Sequence, residues 1–227
     1  MQDLVAQERF EMAVLETLHS ARLLPQLVFT GGTMLRLCHG LGRYSVDLDF
    51  WIPPRAAAGR LYAALNRALA ARYTVRDAAA KRFTLLFELK SPEAPRALKI
   101  EVRKDVPRVR TEPALAFSVH WPRQVLVTTV ALPDFMRRKA DTFLARREIR
   151  DAFDMEHMLK RGVPLAEPPG RARALLAALG SLRRADYAVK LGSLLEPGLR
   201  RYYVRENFVL LAGTLRQIAS TGRAAIR

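Results

Sequence analysis

Two short segments decide how this chain is interpreted: Phe29-Thr30-Gly31-Gly32-Thr33 and, thirteen residues further on, Asp47-Leu48-Asp49-Phe50. From Val46 to Ile52 apolar and acidic side chains alternate, which is the period-two pattern of a β-strand. The first segment passes from an apolar run into two glycines, which is typical of a short strand that leads directly into a helix. The sequence therefore predicts a strand, a glycine turn and a helix, followed by a strand that carries two acids.

The two acids of the second segment predict a metal site. Asp47 and Asp49 lie two positions apart on the predicted strand, so their carboxylates project from the same face. Two neighbouring carboxylates on a partly buried surface are costly unless a cation neutralises them. Mg²⁺ is the expected ion, because it prefers carboxylate oxygens. The alternation places Leu48 and Phe50 on the opposite face, in the core.

The two glycines of the first segment predict a phosphate-binding turn. Gly31 and Gly32 let the backbone approach a phosphate closely, because they carry no Cβ. The free amides and the dipole at the start of the following helix also favour an anion, and Thr33 can add a hydroxyl. Either feature alone is weak evidence. Together with the acid pair, the turn predicts a triphosphate-binding loop that faces a metal site.

The composition indicates a folded protein with an anionic partner. The net charge of +16 favours nucleic acid as that partner, although Ala- and Arg-rich composition alone could also produce it. The single cysteine, Cys38, excludes an internal disulfide framework. The polar N-terminus and the lack of a run of roughly 20 apolar residues predict a cytoplasmic protein that does not contact a membrane.

The pattern of elements predicts an α+β fold with two domains, an α/β domain over residues 1–132 and a helical domain over residues 133–227. The predicted helices of the first domain cover residues 4–24, 33–41 and 55–71, and its strands cover 27–30, 46–52, 73–76, 83–89, 98–102 and, as an edge strand, 125–130. Beyond Pro133 only helical patterns occur, at 134–146, 148–159, 171–195, with a break near Gly180, and 199–218.

Gly32-Thr33, the thirteen-residue spacing and Asp47-Leu48-Asp49-Phe50 resemble the signature of the DNA polymerase β-like nucleotidyltransferase superfamily. The resemblance implies a mixed sheet with flanking helices and the transfer of NMP from an NTP to a hydroxyl, with release of pyrophosphate. It also implies that Asp47 and Asp49 hold two Mg²⁺ ions, for which Mn²⁺ could substitute. A third carboxylate comes from a later strand in that superfamily, and Glu101, within Leu98–Val102, is the candidate. The alternative for Glu101 is an ordinary surface residue of a strand.

A downstream segment resembles a narrower family, the AbiEii/AbiGii toxins. The residues that carry this resemblance are Arg138-Lys139-Ala140-Asp141-Thr142-Phe143, Arg147, Arg150-Asp151, Phe153 and Asp154, which follow the pattern K-x-x-A/T…R-x-x-R-D-x-x-D. Tyr44-Ser45 before Asp47 is similar to the R-x-S-x-D-L-D-F of that family, and the match covers roughly residues 27–160.

The family resemblance assigns roles to three of these residues. It implies that Lys139, from a helical domain that contributes to the active-site cleft, binds the β- and γ-phosphates. Asp151 would orient Lys139 or the attacking group, and Ser45 would support the acid loop and contact phosphate only secondarily. The alternative for Arg150-Asp151 is a charge pair that orders the bend between two helices, and for Asp154 it is a structural ion pair.

The resemblance further implies a toxin of a toxin–antitoxin and phage-defence system, with a cognate antitoxin encoded nearby. Relatives transfer nucleotides, in some cases to the acceptor end of tRNA, so tRNA is the expected acceptor. Two alternatives stay open from the residues: the same fold acting on a small molecule or a protein, and a non-catalytic basic module that binds RNA. The sequence does not specify which NTP is used.

Overall fold

The computed structural model describes residues 1–52, 57–104 and 108–221 of the 227-residue chain. The chain divides into two compact units, an N-terminal unit (Met1–Ala131) and a C-terminal unit (Leu132–Arg227). The predicted α+β fold is confirmed: a mixed sheet with flanking helices forms the first unit, and helices form the second.

A seven-stranded mixed sheet forms the centre of the N-terminal unit. Its strands, in chain order, are β1 (Val28–Thr30), β2 (Asp47–Trp51), β3 (Thr74–Ala80), β4 (Thr84–Lys90), β5 (Leu98–Arg103), β6 (Thr111–Ala116) and β7 (Val125–Val130). They are arranged in the order β3-β4-β5-β2-β1-β7-β6. The pairs β2–β5 and β1–β7 are parallel, and the other neighbours are antiparallel. The acid-bearing strand β2 therefore lies in the middle of the sheet.

Three helices pack on this sheet: α1 (Gln2–Ser20), α2 (Gly31–His39) and α3 (Ala58–Ala70). As the alternation predicts, Leu48 and Phe50 of β2 are buried in the core, and Asp47 and Asp49 on the other face are only half-buried. The apolar residues thus fix the strand from one side and leave the acids on the more open side.

The C-terminal unit contains α4 (Leu132–Arg146), α5 (Ile149–Lys160), α6 (Pro169–Gly180), α7 (Pro197–Glu206) and α8 (Val209–Thr221). A π-helical turn (Asp186–Leu191) and a 3₁₀ turn (Gly192–Leu194) connect α6 to α7. The fully buried carboxylate of Glu156 accepts hydrogen bonds from the Tyr203 hydroxyl (3.0 Å) and from the Leu211 backbone N–H (3.1 Å), which joins α5 to α7 and α8.

Several predicted boundaries were wrong, although the break expected near Gly180 in the helical segment 171–195 is confirmed, because α6 ends at Gly180. The single helix predicted over 199–218 was wrong, because it is interrupted at Asn207, whose φ of 57° ends α7. The strand at 125–130 is not an edge strand, because β6 pairs outside it. Strand β6 was not predicted, since Pro113 indicated a loop; proline is tolerated there because the strand lies at the edge of the sheet.

Of the predicted helix over 55–71, the first residues lie outside the described part, and α3 accounts for the rest. Nowhere in 1–52, 57–104 or 108–221 does a helix combine the length and apolar character needed to cross a membrane.

Candidate active site

Gly31 brings the start of α2 into contact with one of the predicted metal ligands. Helix α2 begins directly after β1, with Thr30 as its N-cap and Gly31 at a φ of 81°, a conformation that disfavours any residue with a Cβ. A Cβ built on Gly31 would lie 2.3 Å from Oδ2 of Asp49. The carboxylate of Asp49 therefore packs directly on the bare backbone of the first residue of the helix.

Gly32 brings the same helix end against a buried arginine. A Cβ built on Gly32 would lie 2.4 Å from Nη2 of Arg43 and 2.8 Å from the hydroxyl oxygen of Ser45. Arg43 is only 3% exposed, and its Nη1 donates a hydrogen bond to the Tyr44 carbonyl (3.1 Å). A guanidinium thus lies beside the start of α2, where its permanent positive charge adds to the field of the helix dipole.

The N-terminus of α2 retains hydrogen-bonding groups for an anion. The side chain of Thr30, the N-cap residue, makes no capping hydrogen bond to the amides of the first turn. The Thr30 hydroxyl at the N-cap is buried and has no hydrogen-bond partner among the described residues. An orphaned hydroxyl beside uncapped amides fits a phosphate oxygen as the missing partner.

The hydroxyl of Thr33, which the sequence suggested as a phosphate ligand, is directed into the protein. Thr33 is fully buried within the first turn of α2, and its hydroxyl donates to the backbone carbonyl of Asp47 at 2.5 Å. This bond joins the helix to the acid strand. The hydroxyl is therefore committed to the protein, and the backbone around Gly31 and Gly32 is the part that faces an anion.

Strand pairing brings the third predicted carboxylate next to the acid pair. In the parallel register of β2 and β5, Asp47 lies opposite Lys99 and Asp49 lies opposite Glu101, so Glu101 and Asp49 project from the same face. The Glu101 carboxylate is hydrogen-bonded to Nζ of Lys99 (3.0 Å) and to Nε of Arg103 (3.3 Å).

These ion pairs explain the protonation state of Glu101. Partial burial raises its pKa, but the hydrogen bond and charge of Lys99, together with those of Arg103, outweigh burial and hold the pKa below its usual value. The pKa of Lys99 is raised, mainly by its hydrogen bond to Glu101 and further by the charges of Asp47 and Asp49. Glu101 is thus an ionised carboxylate, and both of its cationic partners, Lys99 and Arg103, lie on its own strand.

The residues around β2 fit a divalent cation, although they do not form a preassembled three-ligand site. Within the described ranges, no three His, Cys, Asp or Glu side chains are placed together as ligands for a metal ion. Asp47 and Asp49 offer hard oxygen ligands on one face of the sheet. Glu101 lies beside them in register, and each of its two oxygens accepts one hydrogen bond, from Lys99 and from Arg103, so these cations would compete with a metal ion for the carboxylate.

A second cluster of predicted site residues lies in the C-terminal unit, around Lys139. This lysine is 8% exposed, and its Nζ lies 3.0 Å from Asp151 Oδ1 and 2.7 Å from Asp154 Oδ2. Arg146 also binds Asp151 through two hydrogen bonds of 2.7 and 2.8 Å. The hydrogen bonds and charge of Asp151 raise the pKa of Arg146 despite its partial burial.

This cluster brings together residues that the sequence placed on consecutive helices. Lys139 and Arg146 belong to α4, and Asp151 and Asp154 belong to α5. Both aspartates are fully buried, and Arg147 at the end of α4 is exposed with a φ of 53°. Two carboxylates therefore hold the ammonium group of Lys139 in one orientation. The sequence suggested Asp151 for this contact, and Asp154 makes it too.

Arg43 is the site residue that the sequence did not single out. It falls within the segment compared with R-x-S-x-D-L-D-F, but no role followed from its spacing. Its position became evident only from the fold, because the loop after α2 returns Arg43 and Ser45 to the start of that helix. The available signal was an arginine inside an otherwise apolar and small-residue loop.

The fold and the sequence together define a nucleotidyltransferase. A model of the nucleotidyl transferase AbiEii toxin family, of type IV toxin–antitoxin systems, matches residues 13–209. Because this match covers most of the chain, the protein belongs to that family, and the predicted family is confirmed.

Two solved structures share the fold. One is a protein from Helicobacter pylori that has been assigned provisionally as a nucleotidyltransferase (TM-score 0.60, 17% identity, covering 100% of this chain and 99% of the other). The other is JHP933 from Helicobacter pylori (TM-score 0.55, 16% identity, with the same coverage of 100% and 99%). At these identities the likeness supports the fold alone. No curated protein sequence matches the chain significantly.

Proposed function

We propose that this nucleotidyltransferase is a Mg²⁺-dependent toxin that transfers NMP from an NTP to a hydroxyl of tRNA and releases pyrophosphate. The observation that carries the proposal is the contact between Gly31 and Asp49, which joins an uncapped helix N-terminus to an acid pair. A triphosphate and a divalent cation need these two features side by side.

The residues of the N-terminal unit divide the work of binding the nucleotide. The amides of Gly31 and Gly32 and the Thr30 hydroxyl bind phosphate oxygens, and Arg43 adds a positive charge beside them, with Ser45 supporting the loop. Asp47 and Asp49 hold Mg²⁺, and Glu101 is the third ligand. When bound, Mg²⁺ neutralises charge on the triphosphate and on the attacking oxygen.

The residues of the C-terminal unit contribute charge and orientation. Lys139 binds the β- and γ-phosphates, while Asp151 and Asp154 fix the direction of its ammonium group. Phosphoryl transfer depends mainly on positioning and on electrostatic stabilisation, and a lysine held by two buried carboxylates is suited to both.

The acceptor and the setting follow from the charge and from the family. A net charge of +16 favours a polyanionic acceptor such as tRNA over a neutral small molecule. Membership of a type IV toxin family supports a cognate antitoxin encoded nearby. We extend the proposal to a role in phage defence. Both tRNA and NTP are found in the cytoplasm, which is where we expect this protein to act. Family membership also sets aside the non-catalytic RNA-binding module.

The acceptor is tested by competition. The purified protein is incubated with Mg²⁺ and a mixture of tRNA, a soluble protein extract and aminoglycosides. Each α-³²P-labelled NTP is added in a separate reaction, and the labelled products are separated into RNA, protein and drug. We expect label in tRNA with one preferred NTP, and none after EDTA is added. Label in protein or drug would assign the same chemistry to a different acceptor and would refute tRNA.

A further inference from the structure

The backbone on both sides of the Asp47 side chain is held by side chains from two different helices. The carbonyl of Val46, directly before Asp47, accepts a hydrogen bond from Nε2 of Gln7 on α1 (3.3 Å). The carbonyl of Asp47 itself accepts the bond from the Thr33 hydroxyl on α2 (2.5 Å). Both Gln7 and Thr33 are completely buried. Two consecutive peptide groups are therefore fixed by dedicated donors.

The sheet alone does not provide this support. The register of β1 with β2 ends where Thr30 lies opposite Asp49, so Asp47 extends beyond the last residue of β1. On its other side Asp47 is paired with Lys99 of β5. The end of β2 that carries Asp47 is thus paired with a strand on one side only, and the side chains from α1 and α2 replace the missing strand contacts.

Within the described part of the chain, the Gln7 side chain is bonded through its amide nitrogen and not through its oxygen. Oε1 of Gln7 and Oε1 of Glu11 are both buried and lack hydrogen-bond partners among the described residues. The two residues are one helical turn apart, on the same face. Burial, and then the charges of Glu8 and Asp47, raise the pKa of Glu11 well above its usual value. Among the described residues, the Gln7 side chain thus makes a single hydrogen bond, which is the one to the Val46 carbonyl.

We propose that Gln7 and Thr33 are positioning residues for Asp47, which fix its backbone so that the carboxylate points towards the bound cation. This inference rests on the proposed function, since it assumes that Asp47 is a metal ligand. Gln7 lies outside residues 13–209, the part of the chain that the family model matches. Groups that orient a metal ligand without touching the metal typically contribute 10–100-fold in metal affinity or activity.

The test measures the binding of Mn²⁺ to the full-length protein by electron paramagnetic resonance, with no acceptor present. Gln7→Met and Thr33→Val remove the two donors at nearly constant volume. We expect each to weaken Mn²⁺ binding by about tenfold and to lower nucleotidyl transfer by about 10–100-fold. Thr33→Ser keeps the hydroxyl, so it should restore Mn²⁺ binding to near the wild-type level.

A matched control separates positioning from stability. Thr17→Val removes another buried hydroxyl, which donates to the Ala13 carbonyl and contacts the Tyr73 hydroxyl, away from β2. We expect it to lower the melting temperature and to leave Mn²⁺ binding unchanged. Equal loss of Mn²⁺ binding in Thr17→Val and in the other two variants would contradict a positioning role.

The outcomes distinguish the inference from the proposed function. If the wild type neither binds Mn²⁺ nor transfers nucleotide, the proposed function fails. If the wild type does both and folded Gln7→Met behaves like it, the positioning role is overturned while the function stands. Gln7→Met decides the matter even if Thr33→Val does not fold, because Gln7 lies on α1 and not at the crowded start of α2.

Discussion

At the scale of single residues, Gly31 and Gly40 form a natural comparison at the two ends of α2. Both have positive φ, 81° and 66°, so alanine is strained at either position. A Cβ on Gly31 would lie 2.3 Å from Asp49 Oδ2, whereas a Cβ on Gly40 would meet nothing within 4 Å. The two glycines therefore share the backbone strain and differ only in the contact with the acid.

From this difference we expect Gly31→Ala and Gly40→Ala to lower the free energy of unfolding by about 1–2 kcal/mol each through strain. Only Gly31→Ala should also displace Asp49 and reduce nucleotidyl transfer, by about 100-fold or more. Urea unfolding and transfer to tRNA would be measured for both. Comparable loss of activity in the two variants would show that the contact with Asp49 is unimportant.

The buried carboxyl of Glu11 predicts a dependence of stability on pH. Its pKa in the folded protein is raised, first by burial and then by the charges of Glu8 and Asp47, above the usual value of 4.5. As the pH rises past 4.5, the unfolded chain releases this proton before the folded chain does, so the unfolded state is favoured increasingly. Glu11 thus costs stability at neutral pH and costs none well below pH 4.5.

Glu11→Gln should therefore raise the melting temperature at pH 7.5, by roughly 2–4 °C for each kcal/mol gained, and should have little effect at pH 4. Glu16→Gln on the same helix is the control. Glu16 accepts a hydrogen bond from the Trp121 indole N–H and is paired with Arg123, so its neutral form should gain nothing. A Glu11→Gln variant that is less stable than the wild type at pH 7.5 would contradict a raised pKa of Glu11 in the folded protein.

At the scale of elements, the pairing of α4 with α5 depends on the cluster of Lys139, Arg146, Asp151 and Asp154. Asp154 is paired with Lys139, and Asp151 is paired with both Lys139 and Arg146. Removing one partner from a buried ion pair leaves a charge without compensation, which commonly costs about 3–5 kcal/mol.

We expect Lys139→Met to lower the free energy of unfolding by about that amount. Adding Asp154→Asn should recover part of the stability, because the second substitution removes a buried charge that has lost its lysine. The double variant should remain inactive in nucleotidyl transfer, since Lys139 is proposed to bind phosphate. Recovery of activity together with stability would show that Lys139 has a structural role alone.

Some of these elements could be predicted from the sequence and others could not. The alternation from Val46 to Ile52 was sufficient to predict β2, because strand periodicity is a local property. Strand β6 was missed because Pro113 is tolerated only by virtue of its place at the sheet edge, which the sequence does not reveal. The interruption at Asn207 was missed for a similar reason, since no glycine or proline marks it.

In the candidate site too, residues close together in the sequence were predicted, and residues brought together by packing were not. Asp47, Asp49 and the glycine pair were predicted because they are adjacent in sequence or two residues apart. The contacts of Gln7 with Val46 and of Arg43 with Gly32 depend on tertiary packing, and no spacing indicates them. The residues proposed to bind the nucleotide and the cation were thus easier to find in the sequence than the residues that pack behind them.

At the scale of the whole molecule, the net charge of +16 predicts how tRNA binding responds to salt. A protein that makes 6–10 phosphate contacts loses roughly 10³–10⁵-fold in affinity for double-stranded DNA between 50 and 200 mM salt. We expect a steep loss for tRNA also, measured by filter binding without Mg²⁺ or NTP. Asp49→Asn should bind at least as tightly as the wild type, because it removes a negative charge. Binding that is insensitive to salt would contradict an electrostatic role for this charge.

The central claim concerns catalysis at Asp47 and Asp49, and the position of a radioactive label tests it most directly. Wild-type protein and Asp49→Asn would each be incubated with Mg²⁺, tRNA and the preferred NTP, labelled with ³²P at either the α- or the γ-phosphate. We predict that the wild type transfers the α-label to tRNA and releases the γ-label as pyrophosphate, and that Asp49→Asn lowers this transfer by about 100-fold or more. Undiminished transfer by folded Asp49→Asn, or transfer of the γ-label to tRNA, would contradict the account.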